Sequence, residues 1–307
     1  MMDHPQRLIL PFLAAVAGVA FLSLMDAFMK EAALASGVYT ASLLRSLMAA
    51  VLVAPIWLAS GFVWPRWPIL KLHLERGVIT AFMGLAFFYA LTKLPIAEAI
   101  AISFIAPLMA LYFARIFLGE TIGRRAIIAS IVGFAGTIVV VSGRLGRSDF
   151  DEGVAWGIAS LLFSALLYAY NFVVIRRQSQ VAGPLEVATF HAGVGGLVQA
   201  LAAPFFFVMP TGEALSTIGI AALLTVCASM FIAWAYARAE AQVLVPVEYT
   251  GFLWAALFGW LFFREAVTVT TIAGVVLIVI GCWIAAPRRK AKVPLSDDRA
   301  KDQLGAS

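Results

Sequence analysis

Charge is scarce in this chain, and that scarcity sets the first constraint. Of 307 residues, 13% are Asp, Glu, Lys or Arg while 63% are hydrophobic, and the mean hydropathy is +0.96. A soluble globule of 33 kDa needs more polar surface than this to cover itself. The two cysteines, Cys227 and Cys282, are isolated in apolar stretches, which argues against a disulfide framework or a cysteine metal pair. His4, His73 and His191 are scattered with no His-x-x-x-His spacing, so no metalloprotease pattern is present. Gly195-Gly196 and the other glycines sit in apolar stretches rather than after a strand, so a phosphate loop, and with it a nucleotide-driven pump, is not visible. No metal, no other cofactor and no catalytic residues are expected.

What the chain does have is length in apolar segments. Crossing a hydrocarbon core of about 30 Å takes roughly 20 helical residues. The chain divides into ten such stretches, at about 8–29, 38–60, 69–92, 95–118, 124–142, 153–175, 185–208, 214–237, 243–263 and 267–286. The fold class expected is an all-α membrane protein with ten transmembrane helices. Turn signals such as Ser36-Gly37, Lys93-Leu94-Pro95, Gly183-Pro184 and Pro210-Thr211-Gly212 punctuate the short breaks, which leave no room for a soluble domain. The first segment is polar only briefly before a full-length span, so it is read as an uncleaved helix rather than a signal peptide.

The chain also repeats itself. Displaced by 145 residues, Phe117-Leu118-Gly119-Glu120 falls on Phe262-Phe263-Arg264-Glu265, Gly136 falls on Gly281, and Ser103 falls on Glu248. A period of half the chain in a membrane protein points to two structural repeats with a binding site between them. The division expected is a first five-helix repeat at 8–142, an external connection at 143–152, a second repeat at 153–286, and a polar cytoplasmic tail at 287–307 that reads as disordered.

Positive charge orients the spans. With the N-terminus cytoplasmic, 16 of the 22 Lys and Arg fall on the inner side, Arg76 among them. Only Lys30, Lys93, Arg144, Arg147 and Arg264 fall outside, and Arg45 stays within the membrane. Both termini are then cytoplasmic, and five spans per half make the repeats inverted. The net charge of +5 sits mostly in the tail, where lipid headgroups are the expected partner and nucleic acid is not.

Taken together, the ten spans, the two halves, the Pro107 to Glu120 stretch and the Glu248-Tyr249-Thr250 to Phe263-Arg264-Glu265 stretch resemble the drug/metabolite transporter superfamily, of EamA type. Asp26 and Lys30 with Ser103-Phe104-Ile105-Ala106-Pro107 are more loosely similar to its branch of S-adenosylmethionine and riboflavin carriers. The second copy departs from the first, with Arg264 at the place of Gly119 and Phe252 at that of Pro107. The resemblance implies a central cavity lined by spans one to four and six to nine, with spans five and ten as outer supports. Small residues at close spacing in those two spans, Gly133 and Gly136 in one and Gly274 and Gly281 in the other, fit a packing role.

Polar residues within the spans are the candidate site. A charge in hydrocarbon costs on the order of 2.5–3.5 kcal/mol on insertion scales unless it faces water or a partner. Asp26 aligns with Asn171 and, at an offset of 146, Arg45 aligns with His191. These four are candidates for a gate or for coupling, with Asp26 and Arg45 latching the outer side. The alternative is structural pairing. Substrate binding is assigned to Glu248 and Tyr249, with Ser103, Phe104, Phe82 and Trp234 adding polar and aromatic surface. Glu248 reaching the headgroups is its plainer reading, Tyr89 and Tyr236 read as interfacial belt, and Trp234 fits either role. Glu120 and Glu265 read as structural helix-end residues.

The function expected is an inner-membrane transporter moving a small organic metabolite by alternating access: amino-acid-, nucleoside- or flavin-like, with a cationic cargo an option. No ATP is used, so transport is facilitated or coupled to a proton or ion gradient, and the unit is a monomer or weak dimer. An intramembrane enzyme or a non-transporting sensor is the alternative.

Overall fold

The computed structural model describes residues 6–61, 63–119, 124–145, 151–178, 180–236, 238, 247 and 250–285. Among them there are helices and no strands, as expected where lipid cannot satisfy a backbone N–H or C=O and each helix must do so internally. In chain order they are α1 (Gln6–Ser36), α2 (Val38–Ala59), α3 (Trp67–Lys93), α4 (Ile96–Ser103), α5 (Ala106–Leu118), α6 (Arg124–Leu145), α7 (Glu152–Gln178), α8 (Pro184–Ala200), α9 (Ala203–Phe206), α10 (Gly212–Tyr236), α11 (Thr250–Phe263) and α12 (Val269–Ala285).

By length and composition, six stretches can cross a membrane: α1, α2, α3, α4 with α5 as one unit, α7 and α10. Three shorter apolar helices lie within α6, α11 and α12. Two of the expected spans are not continuous. The fourth breaks at Phe104-Ile105, where Pro107 has no N–H to offer the Ser103 carbonyl and the ladder restarts with Leu108 and Met109 both bonding the Ile105 carbonyl. The seventh ends as α8 at Ala200, with the one-turn α9, carrying Pro204 in its first turn, beyond it.

Contacts fix the direction of each helix. Ser164 and Ser160 on α7 donate to the Met83 and Ala86 carbonyls on α3, so these two run antiparallel. Phe21 on α1 meets Phe231 on α10, and Gly18 lies against Ile232. By contrast α1 runs parallel to α11, with Ser23 on the Gly251 carbonyl, Phe28 on Phe262, and Lys30 on Glu265. In the same way α7 runs parallel to α5, from Ala165 beside Ile105 to Arg177, which donates to the Phe117 carbonyl.

The larger interfaces have counterparts when the two halves are exchanged, whereas α1–α2, α1–α3 and α2–α3 have none of comparable size among the described residues. The α1–α10 pair matches α7–α3, and α2–α10 matches α8–α3, while α2–α8, α4–α11 and α6–α12 map onto themselves. The same relation holds at the backbone. Gly119 and Arg264, 145 residues apart, both adopt positive φ, 70° and 56°, at the end of their helices. A left-handed residue there satisfies a terminal carbonyl, and the Arg264 N–H reaches the Trp260 carbonyl at 3.0 Å. Glycine adopts this conformation at no cost, whereas arginine pays about 1–2 kcal/mol.

The α6–α12 pair is packed at backbone distance. A Cβ placed on Gly136 would come within 2.6 Å of the Gly274 carbonyl oxygen, and one on Gly281 within 2.7 Å of the Ala129 oxygen. Only glycine permits that approach. Gly136→Ala and Gly274→Ala should therefore each destabilise by about 1–3 kcal/mol, the usual range for overpacking. Gly193→Ala, where nothing lies within 4 Å, should be close to neutral. Thermal unfolding of the purified variants checks this, and equal melting temperatures for all three would contradict the packing assignment.

Candidate functional site

One end of the bundle is tied by an ion pair. Lys30, buried near the end of α1, contacts Glu265 just past α11 and donates to the Leu94 carbonyl at 2.7 Å. The second Glu265 oxygen accepts the Ile96 N–H at 2.8 Å, so this carboxylate also caps α4. Gly259 makes room for it, since a Cβ there would meet the carboxylate at 2.6 Å. Glu265 is structural, as expected of it, but it joins three helices rather than ending one.

The opposite end is tied by a relay. Glu186 at the start of α8 lies 2.8 Å from Nε2 of His73 on α3. The other ring nitrogen of His73, Nδ1, is 2.6 Å from the Gln178 amide at the end of α7. The Gln178 oxygen accepts from Arg76 at 2.8 Å, and the imidazole stacks on Phe190 with ring centroids 4.3 Å apart. Sequence reasoning missed this set. Arg76 sits within α3 with its Nε buried and without a partner. The available signal was Glu75-Arg76 interrupting an otherwise apolar run.

Between the two ends lie the interior charges. Asp26 on α1 and Arg45 on α2 are within electrostatic reach of each other but make no direct ion pair. The Arg45 guanidinium lies over the Phe88 ring at 5.2 Å and makes one long contact, 3.5 Å, to the Thr225 hydroxyl. Its Nε is buried and unpartnered. His191 on α8 is within electrostatic reach of both Arg45 and Arg76. Asn171 on α7 is buried with an unpartnered Oδ1. The structure therefore brings Asp26, Arg45 and His191 into one region, and no contact joins Asn171 to them.

The other expected residues are spread out. Ser103 closes α4 and donates to the Ala99 carbonyl at 2.9 Å, and Phe104 forms the break before α5. Phe82 is exposed on α3. Trp234, stacked by Arg238 at 4.3 Å, lines an apolar groove of about 500 Å³ with Leu10, Leu13 and Phe231. That groove is open and apolar, and it is separate from the interior charges. Glu248 and Tyr249 lie outside the described residues, as does Glu120. Their neighbour Val247 is buried against Ala15, Val19 and Ala235.

The model of the EamA-like transporter family matches this chain twice, over residues 9–142 and 155–286. The chain belongs to the EamA-like transporter family. Among relatives of this EamA-like transporter, the pseudopaline exporter CntI of Pseudomonas aeruginosa is 30% identical over 285 residues, covering 91% of this chain and 95% of that protein. A riboflavin transporter of Rhizobium johnstonii is 31% identical over 63% of each chain. An S-adenosylmethionine uptake transporter of Rickettsia felis is 24% identical over 67% of this chain and 68% of its own. One solved crystal structure shares the fold, with a TM-score of 0.61 at 20% identity over 92% of this chain and 97% of the other. The protein is a multi-pass helical membrane protein of a small-metabolite transporter family.

The Lys30–Glu265 pair makes a clear prediction. Glu265→Gln should remove the charged contact between α1 and the end of α11 and the anionic acceptor of the Ile96 N–H, and destabilise the protein by about 1–3 kcal/mol. Glu265→Ala, which removes both acceptors outright, should cost more. Denaturant unfolding in mixed micelles measures both. A Glu265→Gln loss below about 1 kcal/mol would mean that water screens the pair.

Proposed function

We propose that this protein is an alternating-access carrier of the inner (plasma) membrane that moves a small organic metabolite without hydrolysing ATP. The observation that carries this reading is the distribution of polar contacts. Both ends of the bundle are tied by side chains whose partners come from other helices, while the interior between them holds charges with incomplete partners. A carrier needs that arrangement: breakable ties at each end and a polar site between them.

The paired interfaces support two inverted halves, 8–142 and 153–286, joined outside by 143–152, with both termini and the 287–307 tail cytoplasmic. In this reading the Lys30–Glu265 tie faces outward and the His73 relay faces the cytoplasm. Relatives named for export of pseudopaline and for uptake of S-adenosylmethionine support a small-metabolite cargo and leave the direction open. Asp26 and Arg45 serve the gate, with Asp26 or Glu248 as the carboxylate for any proton coupling. Ser103 and Phe104 contribute at the helix break, where irregular backbone in a membrane is tolerated against a cavity. The working unit is a monomer or weak dimer. An intramembrane enzyme or a sensor has no observation of its own in support.

Two measurements test the proposal. A reporter fused after Ser307 should report from the cytoplasm and one inserted near Ser148 from outside, and finding both on one side would rule out the inverted arrangement. In liposomes, uptake of a substrate should saturate and should accelerate when the lumen is preloaded with the same compound. Flux that stays linear with concentration and shows no counterflow would identify a channel.

A further inference from the structure

The histidine relay has a counterpart in the other half, and the two differ in chemistry at every position. At the 145-residue offset, His73 and Arg76 correspond to Ile218 and Ala221, and Gln178 and Glu186 correspond to Ala33 and Ala41. The helices correspond as well: α3 against α7 and α8 becomes α10 against α1 and α2. All four counterparts are buried, and they belong to one apolar cluster. The same joint is therefore polar where α3 meets α7 and α8, and apolar where α10 meets α1 and α2.

The polar joint has one consistent arrangement. Arg76 can only donate, so the Gln178 oxygen faces it, at 2.8 Å. The Gln178 amide nitrogen then donates to Nδ1 of His73 at 2.6 Å, which leaves the ring proton on Nε2, toward Glu186 at 2.8 Å. No member can turn without leaving its neighbour unmatched, so the set parts as a unit. Gln178 ends α7 and Glu186 stands in the first turn of α8, and the Glu186 side chain is 20% exposed. Water that enters there replaces each hydrogen bond that is lost, so the net cost of opening is small for each bond. Parting Ala33 and Ala41 from Ile218 and Ala221 instead exposes apolar surface with nothing gained from water. One turn beyond His73 the crossing of α3 and α8 is tight, since a Cβ on Gly77 would come within 2.3 Å of a Val194 side-chain carbon. That crossing is a pivot about which the ends of α3 and α8 can separate.

We infer that the relay of His73, Arg76, Gln178 and Glu186 is the gate at the cytoplasmic end of the carrier: α3 parts there from α7 and α8, while α1, α2 and α10 move as one body. This inference rests on the carrier reading and adds which helices move. Motion belongs to the polar joint because its groups have partners both closed and open, whereas the apolar joint has them only when closed. Outward opening is then left to the Lys30–Glu265 tie, which joins α1 to α11 and α4.

The test measures two distances by double electron–electron resonance in the full-length protein in liposomes, with Cys227→Ala and Cys282→Ala as background. Spin labels on Lys71→Cys and Val181→Cys report on α3 against α7, and labels on Leu34→Cys and Ser216→Cys report on α1 against α10; all four positions are exposed. The first pair should show a short and a long population, and the second pair a single one. Giving the relay the apolar set, His73→Ile with Arg76→Ala, Gln178→Ala and Glu186→Ala, should lower the long-to-short ratio of the first pair about tenfold or more, the size of one hydrogen bond that water no longer supplies to the open form. The second pair should not change. Two populations at the second pair of the otherwise unmodified protein overturn the inference, as does a single population at the first, and neither result depends on the quadruple variant folding. An undiminished long population in the folded variant overturns the role of the relay. The two levels fail separately. Movement at the second pair with none at the first keeps a carrier and rejects this gate, whereas movement at the first pair in a protein whose Ser148 and Ser307 reporters share one side keeps the joint and rejects the inverted carrier.

Discussion

Hydrocarbon offers no partner to a charge, and the organisation of this protein follows from where its few charges find one. At one end the Glu265 carboxylate contacts the Lys30 ammonium and caps α4 through the Ile96 N–H. At the other, Glu186, His73, Gln178 and Arg76 pass hydrogen bonds between α8, α3 and α7. Both sets join helices that are remote in the chain, so each stabilises a closed end rather than a single helix. The interior is different in kind. Arg45 is held by an aromatic face and one long contact, and its Nε has no acceptor.

The scaffold divides along the same line. The α6–α12 pair approaches at backbone distance through Gly136, Gly274 and Gly281, which leaves no gap for a cargo and suits a support. The α4–α5 unit is broken at Phe104-Ile105, where the helical ladder is interrupted beside the interior. The larger interfaces between the halves are paired, yet the two ends of the bundle are tied by different chemistry: a lysine–glutamate pair on one side and a histidine relay on the other.

Much of this was legible in the chain before any helix was placed. Apolar length marked the spans, because hydrocarbon thickness sets helix length. The 145-residue offset marked the repeat, and it carried down to backbone geometry at Gly119 and Arg264, which share a left-handed conformation despite their different side chains. Asp26, Arg45 and His191 stood out as interior groups because a charge or imidazole within an apolar run has few other places to go.

What the sequence determined by itself was therefore one-dimensional: solvent, span length, repeat and the identity of polar residues within spans. Tertiary structure alone decided which of them meet. Glu265 caps a helix whose first residue is 169 positions away, and His73 meets Gln178 at a separation of 105. No periodicity encodes such pairs, because helix period reports only which face a residue occupies. The facing partner depends on how the two halves cross. The same reason separates Asp26 and Arg45, whose opposite charges on neighbouring helices suggested a direct latch. Packing leaves them in electrostatic reach without contact, and the guanidinium lies instead over the Phe88 ring.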